Sequence, residues 1–165
     1  MLSVRNLLEW HQTKESIQQA KNERDNLDKE RKKRLTSIQE LRQRIEALPI
    51  TDNPEEQIQK LLAEQELWMA NKDFEQFESD CLPKLASLDN SISEKSFELM
   101  RLESEVDEAL FSEYYRLAEN KKNPIVEVKR KICTGCYYPL SLAKVDEWRR
   151  AKGLVYCDEC GRILV

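Results

Sequence analysis

Residues 133–160, CTGCYYPLSLAKVDEWRRAKGLVYCDEC, open on one Cys-x-x-Cys pair and close on another, with 20 residues between them. Each pair can hold two sulfurs on one side of a tight turn, as tetrahedral Zn–S bonds of about 2.3 Å require. Cys133, Cys136, Cys157 and Cys160 are therefore the candidate ligands of one structural zinc ion. Gly135 and Gly161 supply backbone freedom at the two turns. Around the pairs, Ile125-Val-Glu-Val-Lys-Arg-Lys-Ile132 alternates like a strand entering the first. Leu154-Val-Tyr156 enters the second, and Arg162-Ile-Leu-Val165 leaves it. Leu142 to Ala151 reads as a short helix, with Ser141 as N-cap and Gly153 as stop. Four thiolates fill the coordination shell and leave no place for water or substrate, which points to folding rather than metal catalysis. The same thiolates could hold an iron–sulfur centre; zinc is the expectation. So small a module has too little core of its own, so the metal supplies folding energy.

The preceding sequence has another character. Charged residues are 35% of the chain and apolar ones 40%, with only 3 Gly and 5 Pro. That balance suits long helices and lacks the aliphatic content and turns of a layered enzyme core. Counting in sevens aligns Trp10, Ile17, Ile38 and Ile45, and three residues on Ala20, Leu27, Leu41 and Leu48. These are a and d positions of a heptad, broken by Arg24, Arg31 and Arg34. Pro49-Ile-Thr-Asp-Asn-Pro54 is a turn, with Asn53 as N-cap and Pro54 in the first turn of the next helix. A second heptad run carries Leu67, Phe74, Cys81, Leu88 and Leu102 beside Leu85, Ile92, Leu99 and Val106. Pro83 lies inside it and should kink or divide the helix.

The expected fold is thus mainly α. Residues 1–120 form an antiparallel coiled-coil hairpin with its turn at 49–54, and residues 121–165 a four-cysteine zinc ribbon of mixed α and β structure. With the turn centred near residues 51 and 52, Ile45 should meet Ile58, Leu41 should meet Leu61 or Leu62, and Ile17 should meet Leu85. Arg24 lands near Glu78, and Arg31 near Lys72 or Glu75, so charged breaks face one another. The first helix then runs out opposite residue 100. Leu102, Val106, Leu110 and Leu117 continue at helical spacing without a mate, and are the candidate protein interface, for a second copy or a foreign helix.

An acidic hairpin followed by VKRKICTGCYYPLSL and GLVYCDECGRILV resembles the bacterial four-cysteine (C4-type) zinc-ribbon family with an N-terminal coiled coil. The ending Cys157-x-x-Cys160-Gly-Arg-Ile-Leu164 is its most specific part. The resemblance places the metal ligands on the same four cysteines. Two features depart from the family: its arm is usually longer, and Tyr137-Tyr138 stand where it often has a histidine. The resemblance implies a non-enzymatic adaptor, since relatives are linked to flagellar or type III export parts, to an alternative sigma factor, or to RNA.

Other features narrow the function. Residues 1–120 hold 17 basic and 26 acidic side chains, and residues 121–165 hold 10 and 5. The basic groups of the ribbon, Lys129, Arg130 and Lys131 with Arg149, Arg150 and Lys152, lie among Tyr137, Tyr138, Trp148 and Tyr156. They are candidate nucleic-acid contacts, against the reading that Trp148 and a tyrosine form a tiny core inside a solubilising charge shell. The single histidine, His11, has no ligand neighbours at useful spacing and reads as a solvated helix residue. Cys81 falls on a d position as a small core hydrophobe. No nucleophile–base set, phosphate loop or small-molecule pocket motif appears, so no enzyme is expected. No apolar run spans a membrane, and the N-terminus lacks the parts of a secretory leader, so the expected location is the cytoplasm.

Overall fold

The computed structural model describes residues 2–165. The chain is mainly α with a small β part: α1 (Leu2–Glu46), α2 (Pro54–Glu105), α3 (Glu108–Ala118), β1 (Ile125–Val126), β2 (Val128–Lys129), β3 (Ile132–Cys133), α4 (Leu142–Arg150) and β4 (Ile163–Leu164). Its contacts gather into two compact units, Gln19–Ser93 and Met1–Gln18 with Glu94–Val165.

Within Gln19–Ser93, α1 and α2 pair antiparallel. Ile38, Ala63 and Cys81 are buried along the seam, and Leu27, Leu41, Phe74 and Leu85 are half-buried. The turn is built as its residues dictate: the Asn53 side chain accepts the Glu55 N–H at 3.1 Å, and Pro54 opens α2. Pro83 does not divide α2, which runs unbroken across it. Its ring lies on an exposed position, where water can take up the carbonyl that proline leaves unbonded.

The helices pair about one heptad out of the expected register. Arg31 pairs with Glu78, Arg24 with Asp89 at 3.3 Å, Glu23 with Lys84 at 2.7 Å, and Arg44 with Glu66 at 2.6 Å. The Arg34 guanidinium lies over the Phe77 ring, 4.4 Å from its centre. The arginine breaks of α1 do fall on carboxylates and an aromatic ring of α2, but on different ones. The cause is the connection: α1 ends at Glu46, and residues 47–53 are not helical. An extended residue covers about 3.3 Å and a helical one about 1.5 Å. The connection therefore runs out along the first turns of α2 before that helix begins, and every later pairing slips. These ion pairs are largely exposed and add little stability; they fit the register that the connection imposes.

In the other unit the same register brings the two helix ends level. Ser3 meets Asp107, Asn6 donates to Glu105 at 3.0 Å, and Trp10 donates to Glu103 at 3.2 Å. There is no overhang. The chain bends at Val106 and Asp107, and α3 packs against α1 through Trp10, whose ring meets Phe111 and Tyr114 edge-on at 5.0 and 5.3 Å. Leu102, Val106 and Leu117 are buried with Val4, Leu7 and Trp10, and Leu110 packs against that cluster. The stripe expected to await a partner is thus core of its own chain. Burial is worth about 1.5–3 kcal/mol per side chain of this kind.

The ribbon also departs from the expected strand at residues 125–132. That segment folds on itself: β1 lies parallel to β4, while β2 and β3 form an antiparallel hairpin pairing Lys129 with Ile132. The two turn residues, Arg130 and Lys131, have φ of 52° and 63°. This is the mirror-image turn favoured between twisted strands, made here without the Asn-Gly that usually announces it. The Ser141 side chain caps α4 by accepting the Lys144 N–H at 3.1 Å. The ribbon core is aliphatic and sulfur-rich, Val126, Val155 and Leu164 with Cys133 and Cys157; Trp148 packs at its edge.

Candidate metal centre

Each metal-binding turn follows from local sequence. In both, the residue after the second cysteine turns back and donates its N–H to the carbonyl of the first: Tyr137 to Cys133, and Gly161 to Cys157, each at 2.8 Å. Both residues are left-handed, Tyr137 with φ of 60° and Gly161 with 67°. The freedom expected of Gly135 is thus used at Tyr137 instead. Gly135 is needed for space, because a β-carbon there would press on the Arg162 side chain and Val126.

The turns face each other, and all four sulfurs lie within 4.8 Å of one another. Cys133 and Cys160 Sγ are 3.8 Å apart, as are Cys136 and Cys157 Sγ. A tetrahedron with Zn–S bonds of about 2.3 Å has edges of about 3.8 Å. No disulfide links them, and Cys133 and Cys157 are buried. Burial pushes the Cys133 thiol up to about 12, against the pull of the Gly135 and Cys136 N–H groups. Burial also raises the Cys136 thiol, and the Tyr138 N–H opposes it. At Cys160, burial acts upward too but is outweighed by hydrogen bonds from Arg162, leaving the thiol at about 7. Backbone N–H groups aimed at sulfur are what a cluster of thiolates around a dication needs. The cavity fits one zinc ion with four protein ligands. Arg162 also donates to the Asn123 carbonyl at 2.7 Å, and Lys121 reaches the Cys160 carbonyl, so the second turn is held from outside.

The candidate nucleic-acid contacts are dispersed over the ribbon surface. Arg130 and Lys131 occupy the exposed β2–β3 turn, where the Lys131 carbonyl accepts the Leu140 N–H at 2.8 Å, and Tyr137 and Tyr138 are exposed as well. Lys129 is paired with Glu127 at 2.5 Å. Arg149 and Arg150 lie in the last turn of α4, with Lys152 just beyond; all three are exposed.

His11 differs from expectation. It is buried, with Nδ1 2.7 Å from the Tyr114 hydroxyl. Burial lowers its pKa; Glu15 opposes this, Lys14 adds to it, and an Asn123 hydrogen bond opposes it. Burial pushes the Tyr114 hydroxyl up to about 12. No local pattern around His11 announces this, because its partner arrives only with α3.

Residues 132–164 match the family of C4-type zinc ribbon domains. With four cysteines in metal-binding geometry, this segment is a C4-type zinc ribbon that binds one structural zinc. Along most of its length the chain is also similar to three solved structures. CT398 from Chlamydia trachomatis is 20% identical, covering 99% of this chain and 82% of that one, with a TM-score of 0.38. The HP0958 protein from Helicobacter pylori is 18% identical, covering 97% and 83%, with a TM-score of 0.41. A protein from Mycobacterium smegmatis is 15% identical, covering 97% and 83%, with a TM-score of 0.41. No curated protein matches the chain. No helix among the described residues is long and apolar enough to cross a membrane.

Proposed function

We propose that this protein is a cytoplasmic, non-enzymatic adaptor: a zinc-stabilised ribbon and a helical hairpin that makes protein–protein contacts through its helices. The observation that carries the reading is the surface of α2 within Gln19–Ser93. Ile58, Leu61, Leu62 and Trp68 are all more than half exposed there, a density of large apolar side chains typical of interaction surfaces. The closed four-thiolate shell assigns the metal to folding and leaves it no open place for a substrate. The resemblance to C4-type ribbons with coiled coils suggests an export component or a sigma factor as partner. A second reading has support in the ribbon itself, which exposes Tyr137 and Tyr138 as well as Arg130 and Lys131, residue types suited to stacked bases and phosphates. A pull-down from native cytosol, with and without nuclease and across a salt series, separates the two. The adaptor reading expects a protein retained after nuclease and largely insensitive to salt. Loss on nuclease treatment, with affinity falling steeply as salt rises, would replace it with the nucleic-acid reading.

A further inference from the structure

The apolar side chains of α2 near the connection are not scattered. Ile58, Leu61, Leu62, Trp68 and Met69 lie at i, i+3, i+4, i+10 and i+11, with Gln65 filling i+7. At about 100° per residue they share one face. Leu61 and Trp68 are each 63% exposed. The seam uses the opposite face, where Ala63 is buried and Leu67, Ala70 and Phe74 are half-buried. Residues 58–69 are thus apolar on two sides of one helix, and only one side is covered. Carboxylates flank the uncovered side: Glu55, Glu66 and Asp73 along one edge and Glu64 along the other. Glu66 is held by Arg44, whereas among the described residues Glu55, Glu64 and Asp73 have no ion-pair partner. Residues 54–73 carry five carboxylates against Lys60 and Lys72, and Lys72 is itself paired with Glu75.

We propose that this stripe is a docking site for a basic amphipathic helix of a partner protein. The inference rests on the adaptor reading and gives it a site and a partner chemistry. A helix fits because the stripe is a straight ridge of about three turns, matched by apolar side chains at i, i+3, i+4 and i+7 flanked by Lys and Arg. The carboxylate edges select the sign of charge. They disfavour a second copy laid stripe to stripe, which would bring like charges together, and they disfavour phosphate backbones.

The test uses the full zinc-loaded chain and two fluorescein-labelled 18-residue helical peptides. Both carry leucines at the stripe spacing; one has Lys and Arg at its flanks, and the other has Glu at the same places. The cationic peptide should bind saturably at one per chain and at least tenfold more tightly than the anionic one. Leu61→Ser with Trp68→Ser, which leaves charge unchanged, should weaken it at least tenfold with helicity and zinc content as in the parent. Glu64→Gln with Asp73→Asn should weaken it and flatten its salt dependence. Equal binding of the two peptides, no binding of either, or parental binding by the serine variant would each overturn the inference. So would a dimer of the peptide-free parent that the serine substitutions dissociate, because a second copy would then cover the stripe. The two readings fail separately. If the native partner is retained equally by parent and serine variant, the adaptor reading stands and this site falls. If the parent retains no protein, the adaptor reading itself falls.

Discussion

His11, Tyr137 and Gly161 show how far a residue's role depends on what reaches it through the fold. His11 is kept neutral by burial against Tyr114, whereas in the unfolded chain it takes up a proton near its ordinary value of 6.5. The stability due to the neutral form is therefore complete above pH 6.5. It is lost as pH falls through 6.5 towards the lowered folded value, because the unfolded state then binds the extra proton. Melting curves between pH 7.5 and 5.5 should fall for the parent and fall less steeply for His11→Gln at equal zinc occupancy; parallel slopes would contradict this. At the two metal turns, the equivalent left-handed positions carry Tyr137 and Gly161. A left-handed conformation costs an ordinary L-residue about 1–2 kcal/mol. Gly161→Ala should destabilise the ribbon by about 1 kcal/mol, while Tyr137→Gly should be neutral or stabilising. Thermal unfolding monitored at the ribbon, with zinc held in excess, checks both signs.

The elements were legible from sequence where the signal is local, and illegible where it depends on path length. Cys-x-x-Cys spacing, the Asn53 and Ser141 caps and the heptads all act within a few residues, and the structure has them. Helix pairing is different, since it depends on how far residues 47–53 travel, and composition does not encode that distance. One error there produced two: the wrong partners for Arg24 and Arg31, and an overhang that does not exist. The break between α2 and α3 at Val106 and Asp107 left only a weak mark, an N-cap residue type before Glu108. The hairpin turn at Arg130 and Lys131 left none, because both residues are atypical for it. The observed register makes its own prediction. Arg34 lies over Phe77, so one heptad along, in opposite directions, Leu41 should face Ala70. Cysteines at 41 and 70 should crosslink within one chain under mild oxidation, and cysteines at 41 and 62 should not. A crosslink at 41 and 62 alone would restore the tight-turn register.

For the whole molecule, the ribbon has two supports: Ile125 and Ile163 pack into the helical cluster with Val4, Leu7 and Trp10, and the cysteines form a second core. The helices of Gln19–Ser93 rest on their own seam, far in sequence from the ligands. The ribbon's core consists largely of the metal-ligating cysteines and the few aliphatic residues packed on them, so its folding free energy depends on the ion. Charge divides along the chain as well, with acidic residues in excess before residue 120 and basic ones after it. The measurement that reaches the centre of this account is zinc content and far-ultraviolet circular dichroism, made together on the parent and on Cys160→Ser prepared without chelator. The account predicts one zinc per chain in the parent. In the variant it predicts zinc well below one, loss of the ribbon's protection against protease, and most of the helical signal retained. A parent without stoichiometric zinc, or a variant that still holds one zinc per chain with its ribbon intact, would contradict it.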